Sequence, residues 1–69
     1  MKEDFEKLSL DYINICVKEA LDANDNNLSK NQIAYVRKNT CDKIIEMSHK
    51  HGIEFVVDFL KERLSLTQK

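Results

Sequence analysis

The sequence predicts an all-α protein: a compact three-helix bundle of the form helix, Asn-rich turn, helix, Gly, helix, assembling as a dimer. Three observations predict it. A single glycine and no proline argue against folds built on many tight turns. Apolar residues, 42% of the chain, recur at helical spacing along most of its length. The pattern is interrupted at residues 24–27 and at Gly52 and nowhere else of note. With 69 residues there is room for one core, so residues 1–69 read as a single helical domain.

The first helix is expected over residues 3–23. Asp4, Lys7, Asp11, Asn14, Lys18 and Asp22 collect on one narrow strip. Most of the remaining circumference is apolar, with Phe5, Leu8, Tyr12, Ile15 and Cys16 to one side and Leu10, Ile13, Val17 and Leu21 to the other. A helix covering one neighbour needs an apolar stripe only somewhat over ~100° wide, so this one is expected to touch several helices. Asn24, Asp25, Asn26 and Asn27 then favour a turn, because short polar side chains bond to their own backbone.

Ser29 with Gln32 three residues on has the spacing of a capping box, and Leu28 before the cap with Ile33 after it suits a hydrophobic staple. They open a second helix over residues 30–50. Its inner face is Ile33, Val36, Thr40, Cys41, Ile44, Ile45, Met47 and Ser48; its outer face is Asn31, Tyr35, Lys38, Asn39, Asp42, Glu46 and His49. Gly52 ends it in a position that tolerates positive φ, with Ile53 folding back toward Met47 or Ser48, after the basic Lys50 and His51.

The third helix, residues 53–66, carries the functional signal. Ile53, Val56, Val57, Leu60 and Leu64 share one arc, while Phe55, Phe59 and Leu66 share the opposite one. The outer helix of a monomeric bundle has no use for two opposed apolar stripes. Either it is sandwiched between layers or one stripe meets another chain, and aromatic anchors dominate interface energetics. Phe55, Phe59 and Leu66 are therefore the candidate protein interface.

Charge is unevenly spread. Residues 1–26 hold three lysines against seven acids, residues 27–51 five basic residues against two acids, and the remainder is neutral, for a net charge of −1. Such a balance gives no general attraction to nucleic acid or anionic membranes. The polar, acidic start lacks the apolar region of a secretory signal, and no apolar run approaches the ~20 residues of a membrane span. Cys16 and Cys41 are too few for a disulfide scaffold. The chain reads as a cytoplasmic protein with free thiols and no membrane association.

No catalytic constellation emerges, and the expectation is a non-enzyme without cofactor or metal. Asp22, Asn24 and Asn26 match the first ligand spacings of a calcium loop, but Asn27 stands where Gly belongs and Ile33 where the bidentate Glu belongs. Asp42, Glu46 and His49 share a helical stripe with His51 nearby, a weak pattern better read as a solvated face. Cys41 has neither a base on its own face nor a group to orient one.

The competing reading is DNA binding. Leu28, Ser29, Lys30, Asn31, Gln32, Ile33 and Ala34 resemble the opening of a helix-turn-helix, and Ile44 and Met47 fall where that motif's second helix takes apolar residues. Arg37, Lys38 and Asn39 occupy the places of an apolar residue, the turn Gly and another apolar residue, so residues 30–50 suit one continuous helix better. In this alternative, a small transcriptional regulator with a degenerate motif, Asn31, Tyr35, Lys38 and Asn39 contact DNA. The favoured expectation is a small interaction module binding itself, a larger protein, or both. A regulator, inhibitor or adaptor of a larger bacterial or phage machine suits this Lys-, Asn- and Ile-rich composition.

Overall fold

Ser29 and Gly52 punctuate the chain through backbone hydrogen bonding. In the computed structural model, which describes residues 2–67, the elements are α1 (Lys2–Ala23), α2 (Lys30–His51) and α3 (Ile53–Thr67). No strand occurs among the described residues. The Ser29 hydroxyl accepts the Gln32 backbone N–H at 3.1 Å, and Gln32 Oε1 accepts the Ser29 N–H at 2.8 Å. Two donors that the start of α2 leaves without intrahelical partners are thereby satisfied.

The Asn-rich turn closes α1 in a similar local way. Asp25 and Asn26 take left-handed φ of 55° and 60°, which short polar side chains tolerate. The Asn24 and Asn26 N–H groups both return to the Leu21 carbonyl, and Asn24 Nδ2 donates to the Ala20 carbonyl at 2.7 Å. The Asn24 side chain is thus engaged with the helix end.

Gly52 alone connects α2 to α3. Its N–H donates to the Ser48 carbonyl at 2.9 Å, and its φ of 89° with ψ of 160° lies in a region essentially confined to glycine. The expected positive φ is present. Extended ψ leads the chain directly into α3, and Ile53 at its start is half exposed.

Each helix packs on both others. Among the described residues the core is Ile13 and Val17 from α1, Ile44 from α2, and Val56, Leu60 and Leu64 from α3, with Thr40 the one buried polar residue. Val56 and Leu60 are fully buried, and Phe5, Leu8, Tyr12, Cys41, Met47 and Phe59 pack around that centre. The buried Ser9 hydroxyl has no hydrogen-bond partner, at a cost of about 1–3 kcal/mol. Both cysteines are free and half-buried.

Two inner-face expectations need correction. Leu10 is 60% exposed and Ile45 is 45% exposed. Each lies at the rim of its helix's apolar arc, and two neighbours cover only the middle of so wide an arc. The acidic and basic segments also do not meet in ion pairs across the α1–α2 seam among the described residues. The polar link there is a hydrogen bond from Arg37 Nη1 to Asn14 Oδ1 at 3.2 Å.

Leu60→Ala is expected to cost about 2–5 kcal/mol, comparable with the ~3–5 kcal/mol that a core in a chain of this size supplies. Far-UV circular dichroism with urea is expected to find it largely unfolded. Gly52→Ala meets no atom within 4 Å of the new Cβ, so its cost is backbone strain alone. A loss of about 1–3 kcal/mol is expected in the same titration.

Candidate interaction surface on the third helix

The helical repeat of α3 sends Val56, Leu60 and Leu64 into the core and brings Phe55, Phe59 and Leu66 to one edge. The structure treats these three unequally. Phe55 is 49% and Leu66 57% exposed, whereas Phe59 is half-buried under α1. The Phe59 ring meets Tyr12 edge-to-face, with centroids 6.1 Å apart and planes at 70°, and the Arg63 guanidinium lies 5.3 Å from its centroid. Both arrangements suit the charge distribution of an aromatic ring. Phe59 therefore belongs partly to the fold and presents only part of itself outward.

Phe55 has a local neighbour as well. Its ring lies 4.6 Å from His51, the last residue of α2, at a tilt of 35°. The sharp Gly52 connection places the two rings together. At the other end of the edge, Leu66, Arg63, Tyr12, Ile15 and Glu19 line a hollow of about 270 Å³. The surface thus carries a projecting aromatic ring near the start of α3 and a partly apolar recess near its end.

Tyr12 is the polar handle of this region. Burial raises its phenol above the ordinary pKa of 10.0; the neighbouring Cys16 raises it further by charge and hydrogen bonding, Arg63 opposes the rise, and Glu19 adds to it. At neutral pH the edge therefore keeps a neutral hydroxyl beside an apolar recess.

Asn31, Tyr35, Lys38 and Asn39 are all exposed on the outer face of α2, and Tyr35 is 68% exposed. However, α2 runs unbroken from Lys30 to His51, so the turn that a helix-turn-helix needs near Lys38 is absent. Arg37 reaches Asn14 of α1 instead. Among the described residues, no group of three or more His, Cys, Asp or Glu residues is placed to hold a metal ion, and no helix is long and apolar enough to cross a membrane.

The sequence reading missed the α1 contribution to the recess, Tyr12 and Ile15, and the pairing of Phe55 with His51. The α1 residues were visible as part of a wide apolar arc, but periodicity alone does not say which neighbour each part of an arc meets. Comparison with protein-family models, curated proteins and solved structures returned no match to the chain.

Because the folded state favours the protonated Tyr12, its contribution to stability is present below pH 10 and is lost as pH rises through the raised value. In a Tyr35→Phe chain, phenolate absorbance is expected above the ordinary tyrosine range, with helicity falling over the same interval.

Proposed function

We propose that this chain is a non-enzymatic α-helical interaction module that binds protein through the apolar edge of α3. It pairs with itself and acts as a small cytoplasmic regulator, inhibitor or adaptor of a larger bacterial or phage machine. The observation that carries the reading is the exposure of Phe55 and Leu66 on one edge, beside a recess, in a chain whose described residues include just six buried apolar ones. A chain so short of core gains from burying such residues in a contact, and aromatic anchors are the side chains through which contacts draw most of their energy.

A second reading keeps one observation of its own. Asn31, Tyr35, Lys38 and Asn39 lie exposed together on α2, in the basic part of the chain, and would contact nucleic acid there. Binding to random duplex at low salt would favour it, since even sequence-independent contact is strong under those conditions.

The edge is tested by capture from lysates of the source cell. Phe55→Asp and Leu66→Asp are each expected to weaken capture of a specific protein by at least about tenfold, with helicity retained. Leu10→Asp, an equally exposed apolar position away from this edge, is expected to leave capture unchanged. Equal loss from all three would reject the α3 assignment.

A further inference from the structure

The molecule exposes more surface than a self-sufficient fold of its mass. Folded monomers follow a surface law that gives about 4,500 Å² at this size. The chain, at 8.1 kDa, exposes 5445 Å². The surplus, about 950 Å², is close to the ~800 Å² that each partner contributes to a standard interface. Shape agrees: the radius of gyration is 12.6 Å against an expected ~11 Å. The extents are 35 × 27 × 18 Å, so the thinnest dimension is about two packed helices.

The α3 edge carries a projection and a recess at opposite ends of the same helix. Phe55 projects near the start, and Tyr12, Ile15 and Leu66 line the recess near the end. A twofold axis perpendicular to α3 brings the start of one copy's helix beside the end of the other's, so each projection meets a recess and the contact closes on itself. The two antiparallel helix dipoles also oppose favourably in that arrangement. Stability that the core cannot supply is needed wherever the chain is made, and a second copy is the partner always made with it.

We propose that a second copy of this chain closes the α3 edge, Phe55 of each protomer seated in the recess lined by Tyr12, Ile15 and Leu66 of the other. This rests on the interaction-module reading above and names the occupant of its surface. Glu19 and Arg63 border the recess, so the seat has a polar rim around an apolar floor. Leu10 and Ile45, exposed on α1 and α2, stay outside the contact.

Sedimentation equilibrium on the full chain tests the pairing. The expected result is twice the 8.1 kDa chain mass for the unaltered protein and for Leu10→Asp. Phe55→Asp and Leu66→Asp, with helicity checked by circular dichroism, are expected to raise the dimer dissociation constant at least about 100-fold, since the twofold counts each loss twice. Register is read by oxidative cross-linking. With the native Cys16 and Cys41 replaced by Ala, chains carrying Phe55→Cys mixed with chains carrying Leu66→Cys are expected to form a linked pair. Either alone is not, because like positions then stand about 16 Å apart along the helix. A mass of one chain for the unaltered protein, or dissociation by Leu10→Asp with Phe55→Asp still dimeric, overturns the proposal. In the first case self-pairing falls from the proposed function as well, while binding of another protein through the α3 edge stands or falls by the capture experiment.

Discussion

The fold depends on one short apolar row, Val56, Leu60 and Leu64, against which α1 and α2 both pack. Two of its three members are fully buried, and they share a cluster with Ile13 and Ile44 from the other helices. A three-helix bundle normally divides its core among the helices. Here the shortest helix, 15 residues against 22 for each of the others, supplies three of the six buried apolar residues among those described. Conformational entropy opposes the ordering of every residue, so a core this small leaves a thin margin.

That concentration explains where apolar surface is left over. The arcs of α1 and α2 are wider than α3 and one another can cover, so Leu10 and Ile45 remain at the rims. On α3 itself Val56, Leu60 and Leu64 are covered, while on the opposite row Phe59 packs against Tyr12 of α1 and Phe55 and Leu66 stay about half exposed. The two remnants differ in chemistry. Leu10 and Ile45 are exposed aliphatic side chains on α1 and α2, which are ordinary on any protein surface. The α3 edge combines an aromatic ring, a recess and a polar rim, the composition typical of contact surfaces.

Polar side chains in this structure mostly serve the backbone. Ser29 and Gln32 cap α2, Asn24 caps the end of α1, and Ser48 Oγ donates to the Ile45 carbonyl. The Glu46–Lys50 pair, at 3.3 Å, is one helical turn apart and well exposed, so its contribution is small.

Much of the architecture was legible because it is local. Capping at Ser29, the halt at Gly52 and the turn at residues 24–27 each depend on side chains within a few positions of the backbone they satisfy, so spacing alone reveals them. The unbroken course of α2 past Arg37, Lys38 and Asn39 was legible for the same reason. The division of apolar residues between core and surface was not local. Leu10 and Ile13 have the same hydrophobic character and lie three residues apart, yet one is exposed and the other buried. Phe55 and Phe59, one turn apart, part in the same way, because Tyr12 of α1 packs on the second ring while the first meets His51 and stays half exposed. Sequence by itself determined which helices form and where each begins and ends, since those energies arise within a turn or two of chain. Only the tertiary structure decided which part of each wide apolar arc is covered, because that depends on where two other helices cross it.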